Sequence, residues 1–106
     1  MDIRDIKIKV IELRKALRSN KIHGDIFILY GSYAAGKNRP DSDIDIAVIS
    51  RDFGKNRFKE GSLLNYLTYK IDPLIEAVPF SLNEYMNKES ISPLLHEIEK
   101  KGVILL

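Results

Sequence analysis

The stretch YGSYAAGKNRPDSDIDIAV, residues 30–48, decides how the whole sequence is interpreted. Residues 25–30, where it begins, form a short and mostly apolar run between two glycines, which predicts a buried strand. Residues 31–42 are rich in Gly, Ser, Asn and Pro, which predicts a loop with one helical turn near Ala34. Residues 43–49 alternate between polar and apolar and then become wholly apolar, which predicts a second strand with one polar end.

Asp43 and Asp45 lie two residues apart at that polar end. Because side chains alternate along a strand, both carboxylates share one face while Ile44 and Ile46 point into the core. Two neighbouring carboxylates repel each other unless a cation lies between them. Oxygen ligands without His or Cys suit Mg²⁺, which completes its shell with water and phosphate oxygens. The pair is a candidate metal site, and the alternative is a solvated strand start after a Pro-Asp-Ser turn.

Gly31 and Ser32 follow the first strand directly and are candidates for binding phosphate. Glycine lets a phosphate approach the backbone because it has no Cβ. If a helical turn starts there, its free N–H groups point at the anion, and Ser32 adds a hydroxyl donor. Lys37 in the same loop is either a further phosphate contact or a solvated loop residue.

The polar ends of the two strands face the same loop, so the strands are antiparallel if they are neighbours. Gly31, Ser32, Asp43 and Asp45 then converge on one place. The sequence therefore predicts a triphosphate site and a metal site side by side.

The rest of the chain alternates helices with strands. The first helix is predicted from apolar residues at spacings of three and four, with Asp2 as its N-cap; these residues are Ile3, Ile6, Val10, Leu13 and Leu17. Further elements are predicted at residues 58–71 (helix), 73–80 (a strand near a sheet edge, because of its prolines), 81–87 (helix), 92–102 (helix) and 103–106 (short strand or tail). This order indicates an α/β fold with helices around a small sheet.

Composition narrows the class of protein further. The 106 residues correspond to a single domain, 1–106, and leave little room for a separate substrate domain. The net charge of +2, from 17 basic and 15 acidic residues, does not by itself indicate nucleic-acid binding. Cysteine is absent, which excludes disulfides and a thiolate nucleophile. No stretch resembles a signal peptide or membrane span, so we expect no membrane association and a cytoplasmic location.

The spacing of Gly31-Ser32, ten residues and Asp43-x-Asp45 resembles the signature of the DNA polymerase β-like nucleotidyltransferase superfamily. The fuller pattern, which adds Ala34, Gly36 and the Ser42-Asp43 step, is similar to its minimal nucleotidyltransferase branch. The resemblance implies a nucleotidyltransferase fold (α+β), in which a small mixed β-sheet is flanked by helices. Ser42, which belongs to this pattern, is expected to join Gly31 and Ser32 at the nucleotide, and Lys37 of the loop is the fourth candidate nucleotide-binding residue.

The resemblance further implies a third metal-binding carboxylate on a later strand. Asp72 and Glu76 are the two candidates, and they share a face if the strand is continuous. Glu76 is preferred because it lies inside an apolar run, where an isolated carboxylate is costly without a cation. Asp43, Asp45 and Glu76 are then the catalytic and metal-binding set, with one or two Mg²⁺ ions.

The implied reaction is transfer of a nucleoside monophosphate, AMP from ATP, to a hydroxyl group on a protein or an RNA. Minimal nucleotidyltransferases are often paired with a HEPN-domain protein in toxin–antitoxin systems, which makes such a partner the first expectation; a homodimer is a second possible assembly. The alternative function is a non-catalytic module that neutralises a partner by contact.

Overall fold

A computed structural model of the chain describes residues 1–87 and 92–106. Its elements follow the expected alternation of helices and strands. In chain order they are α1 (Ile3–Ser19), β1 (Ile26–Tyr30), α2 (Gly31–Ala34), β2 (Ile44–Ser50), α3 (Arg57–Ile71), β3 (Ile75–Ser81), α4 (Leu82–Met86), α5 (Pro93–Lys101) and β4 (Val103–Ile104).

The four strands form one mixed sheet in the order β3-β2-β1-β4. β1 runs antiparallel to β2, as the shared loop predicted, and antiparallel to β4. β2 and β3 are parallel because α3 carries the chain back between them. The expected edge position of β3 is confirmed, and Pro79, which cannot donate a backbone hydrogen bond, lies in that edge strand.

Each face of the sheet is covered by its own pair of helices. On one face α1 and α3 bury alternate residues of the strands, for example Leu29 and Ile46. On the other face α4 and α5 cover the intervening residues, for example Ala47 and Phe80. Residues of β1, β2 and β3 that pair with one another lie on the same face of the sheet. The strand pairing therefore determines which side chains can meet.

The start of α1 agrees with its sequence. Asp2 accepts a hydrogen bond from the backbone N–H of Asp5, and the Asp5 side chain accepts one in return from the backbone of Asp2. This reciprocal capping box satisfies two backbone donors that a helix start otherwise leaves without a partner. Val10 and Leu13 are fully buried on the expected face.

Two local predictions were inaccurate. The predicted loop at residues 31–42 begins with a helical turn at Gly31 itself, three residues earlier than expected. The third strand begins at Ile75, not at residue 73, because Asp72 caps the end of α3 and accepts a hydrogen bond from the N–H of Leu74. Asp72 and Glu76 therefore do not share one continuous strand.

Within residues 1–87 and 92–106, no helix has the length and apolar character that crossing a bilayer requires.

Candidate active site

Three side chains stand in a row across the sheet. Tyr30 of β1 pairs with Asp45 of β2, and Asp45 pairs with Glu76 of β3. Residues that pair across neighbouring strands point to the same face, which here is the face that α4 and α5 cover. Asp45 and Tyr30 are half-buried and Glu76 is exposed, so the row lies at the open end of this face.

The electrostatics of the row show that its acids affect one another. Burial raises the pKa of Asp45 above its usual range, and the negative charges of Glu76 and Asp43 raise it further. Burial, followed by the charges of Asp45 and Glu76, raises the pKa of the Tyr30 phenol to about 12. The protein therefore holds three carboxylates close enough to repel, with no cationic side chain among the causes of either shift.

Gly31 lies directly against the central acid of the row. Its φ of +72° falls in the left-handed region, and a Cβ added there would lie 2.3 Å from Oδ2 of Asp45. Both facts require glycine at this position. α2 starts at this same residue, so the N–H groups of its first turn have no partner within the helix. The expected meeting of the Gly31-Ser32 turn with Asp45 is therefore present in the structure.

The two candidates for a third carboxylate occupy different environments. Glu76 lies beside Asp45 in the ladder. Asp72 instead forms an ion pair with Lys9 of α1, 2.5 Å between Nζ and Oδ2, and that ion pair is the main cause of its lowered pKa. Its side chain is thus engaged in joining α1 to the end of α3, and the geometry places only Glu76 in the row.

Ser42 and Lys37, the two other candidate nucleotide-binding residues, lie in different environments. The Ser42 hydroxyl oxygen accepts a hydrogen bond of 2.7 Å from the N–H of Arg39, and the Ser42 N–H donates to the Arg39 carbonyl. Ser42 therefore closes the turn that leads into β2. Lys37 is exposed and borders a cavity that also contacts Gly31 and Ser32.

That cavity, of about 700 Å³, opens between α2 and α5 beside the row. Its walls are mostly apolar and carry a few charged groups; they comprise Tyr30, Gly31, Ser32, Ala34, Ala35, Lys37, Leu94, Glu97 and Lys101. Its size is typical of a small-molecule site. The three residues of α5 in this wall are not predictable from the sequence, because nothing near them in the chain indicates that α5 folds back against α2.

The carboxylates fit a magnesium ion that arrives with a triphosphate. Within the described ranges, 1–87 and 92–106, no group of three or more His, Cys, Asp or Glu side chains is arranged to hold a metal ion by itself. Mg²⁺ usually takes one or two carboxylates and completes its shell with water and substrate phosphates. Repelling carboxylates beside a glycine turn supply that kind of incomplete donor set.

A mixed sheet with Asp45 beside a Gly-Ser turn is the arrangement expected of enzymes that transfer nucleoside monophosphates. The family model described as nucleotidyltransferase domain matches residues 10–105. The chain therefore belongs to the nucleotidyltransferase domain family, and it is a nucleotidyltransferase.

Two solved structures are similar over 94% of this chain. One is a crystal structure of a toxin–antitoxin with AMP-PNP, at 28% identity and a TM-score of 0.58, with 72% of that chain covered. The other is a mutant of the toxin–antitoxin MntA–HpeT with two Asp-to-Glu substitutions two positions apart, at 25% identity and a TM-score of 0.55, with 71% covered. No curated protein sequence matches the chain.

Proposed function

We propose that this nucleotidyltransferase moves AMP from ATP, with Mg²⁺, onto a hydroxyl group of a partner protein, and that it acts as the antitoxin of a toxin–antitoxin pair. The main support for this reaction is the contact between Gly31 and the Asp45 carboxylate, beside Glu76. It brings a backbone suited to phosphate next to acids that repel one another.

In this proposal Asp43 and Asp45 hold the metal, and Glu76 is the third carboxylate. A bound Mg²⁺ polarises the phosphoryl oxygens and neutralises charge on the triphosphate. The raised pKa of Asp45 indicates that its charge is unfavourable in the protein alone. A divalent cation would remove that repulsion, so metal binding and ionisation of Asp45 support each other.

The remaining steps belong to the chain's own groups. The backbone at Gly31 and the hydroxyl of Ser32 orient the β- and γ-phosphates, with Lys37 at the cavity mouth as a further cation. The acceptor oxygen forms a bond to the α-phosphorus while the bond from that phosphorus to the bridging oxygen breaks, and pyrophosphate leaves. The acceptor proton passes to the exposed Glu76 carboxylate. Positioning and charge stabilisation account for most of the acceleration in such transfers.

The donor and the partner are supported by the similar structures. AMP-PNP, an ATP analogue, is named with one of them, and both are toxin–antitoxin structures. The substituted Asp residues of MntA–HpeT have the same spacing as Asp43 and Asp45. We infer that the partner is a HEPN-domain toxin and that the acceptor is a hydroxyl on it, with an RNA hydroxyl as the other acceptor to test.

The direct test is transfer of label from ATP carrying a labelled α-phosphate. The chain is incubated with Mg²⁺ and the protein encoded by the neighbouring gene, and each of the four triphosphates is compared. We expect label from ATP on the partner protein and none in the presence of EDTA. Label on co-purified RNA would move the acceptor from protein to RNA.

A matched pair of variants tests the site. Asp43→Asn should abolish label transfer, by more than about a hundredfold, because it removes a carboxylate from the metal set. Asp41→Asn, an exposed acid two residues earlier in the same loop, should leave transfer unchanged. Equal transfer by the Asp43 variant and wild type would overturn the site. Neutralisation of a toxin by both variants without any transfer would favour the non-catalytic module.

A further inference from the structure

The opposite end of β1 carries a second cavity, of about 650 Å³. It lies between the C-terminal end of α1 and the start of β1, and its walls comprise Arg14, Arg18, Lys21, Ile22, His23, Gly24 and Asp25. Tyr30 lies five positions after Asp25 along the strand, roughly 17 Å at the rise of an antiparallel strand. This cavity is therefore distinct from the candidate active site.

Among the residues that the structure describes, the cations of this cavity have no acidic partner. Arg14 and Arg18 are four residues apart on one side of α1, and Lys21 follows two residues after the helix ends and borders the same cavity. None of the three forms an ion pair within the part of the chain that the structure describes. The one carboxylate in the wall, Asp25, is already bound by the Arg51 guanidinium at 2.6 Å. Three positive charges thus face the cavity without compensation.

Two of these cations are held in place by the backbone around them. The stem of Arg14 lies over Gly24, where an added Cβ would be 3.2 Å from its Cγ. Lys21 occupies the left-handed position of a helix-ending motif: its N–H donates to the Arg18 carbonyl, and the N–H of Ile22 donates to the Leu17 carbonyl. These bonds already satisfy the end of α1, so the cations are not needed as caps.

Lys21 is a poor choice for the fold alone. Its φ is +61°, and it is the only non-glycine residue with positive φ in the described ranges. Glycine is the usual residue at this position because a Cβ is unfavourable there. The left-handed backbone therefore has a cost at Lys21, and it places a positively charged residue at the cavity.

We propose that Arg14, Arg18 and Lys21 form a second anion site, which binds phosphate groups. A guanidinium binds phosphate through two parallel hydrogen bonds, and three cations match a multiply charged anion better than a single carboxylate. The cavity is concave and of ligand size, as expected for a phosphate ligand. The phosphates belong either to a free polyphosphate or nucleotide or to the backbone of an oligonucleotide.

The test is an NMR titration of the ¹⁵N-labelled protein with inorganic tripolyphosphate in EDTA, which removes metal from the candidate active site. We expect saturable shifts at the amides of Lys21, His23 and Gly24. The double variant Arg14→Gln/Arg18→Gln should bind about tenfold more weakly or worse, since each lost charge-assisted contact costs affinity. Shifts confined to Gly31 and Ser32, or no saturable shift, would overturn the proposal.

Two further variants separate this site from general charge and from the fold. Lys7→Gln/Lys100→Gln removes the same charge from exposed lysines elsewhere and should bind within about twofold of wild type. Lys21→Gly should weaken binding severalfold yet raise the melting temperature by about 2–5 °C, because glycine fits the left-handed position. Equal weakening by the lysine control, or unchanged binding by Lys21→Gly, would contradict a dedicated site.

The source of the phosphate is found by a second titration, with a short single-stranded RNA without a terminal phosphate. The same amide shifts, with a salt dependence that weakens in the arginine variant, would identify the oligonucleotide backbone. Shifts with tripolyphosphate alone would identify a free polyphosphate or nucleotide. If neither ligand shifts these amides, the site does not exist.

Discussion

The acids at the two ends of the central strands, β1 and β2, have opposite electrostatic environments. At the start of β1 and the end of β2, Asp25 and Asp52 each have a basic neighbour; contacts with Arg51 and His23 respectively lower their pKa values. At the other end, burial raises the pKa of Asp45, and the negative charges of Glu76 and Asp43 raise it further. The first end stabilises the fold, whereas the second keeps a charge arrangement that costs stability and becomes favourable with a bound cation.

We expect the largest effect from a variant at the end of the strands where Asp45 lies. Gly31→Ala places a methyl group against the Asp45 carboxylate and also occupies a left-handed φ. We expect nucleotide transfer to fall by more than about a hundredfold, because small displacements of reacting groups are costly. Unfolding should become easier by about 1–3 kcal/mol. Transfer assays and urea titrations measure both effects.

Gly36→Ala is the control for that variant. Gly36 also has a positive φ, +70°, but an added Cβ there meets nothing within 4 Å. It should show the backbone cost of about 1 kcal/mol with little loss of transfer. If both alanine variants lost transfer equally, the contact between Gly31 and Asp45 would not be the feature that matters.

A smaller effect on stability is expected at the opposite end, where Asp25 and Asp52 each have a basic neighbour. Asp25→Asn removes the charge that the Arg51 backbone and guanidinium contact, and it should lower the free energy of unfolding by about 1 kcal/mol. Transfer activity should be unchanged, since the strand separates this end from the active site. Chemical denaturation measures the free energy of unfolding, and the transfer assay measures the activity. A loss of activity without a loss of stability would show that Asp25 contributes to the reaction and not to the fold.

The smallest expected effect is a gain in stability, from removal of the charge of Asp45. Because the folded state raises the pKa of Asp45, the folded protein binds this proton more tightly than the unfolded chain does. Stability is therefore lost as the pH rises from the usual aspartate pKa through the raised value, and the full cost is present at neutral pH.

Asp45→Asn removes that cost. Since Asp45 is only half-buried, solvent limits the gain, and we expect a melting temperature about 1–3 °C above wild type at pH 7 without metal. The difference should shrink as the pH falls below about 4 and disappear below about pH 3, where Asp45 is protonated in both the folded and the unfolded state. Thermal melts across this pH range provide the measurement. A variant less stable than wild type at neutral pH would contradict the repulsion.

The site was predictable from the sequence where it depends on local geometry. The period of two placed Asp45 on the face opposite Ile44 and Ile46, and the loop between two short strands implied antiparallel pairing. Asp43 precedes the strand, which begins at Ile44, so its expected place on the same face stays a prediction. The roles of these residues remain predictions. What the sequence did not show are the long-range contacts: the pairing of Asp72 with Lys9, 63 residues away, and the α5 wall of the cavity. Such contacts depend on how finished elements pack, which no nearby pattern encodes.

The ladder between β2 and β3 has one more consequence. Asp45 and Glu76 are a single rung of it, whereas Ile75 and Ala77 on either side of Glu76 belong to the core under α1 and α3. A slip of β3 by one residue would push Glu76 into that core and bring an apolar side chain alongside Asp45. Correct packing of the core therefore also aligns the two acids, so a chain that folds with its core intact has already assembled this part of the candidate active site.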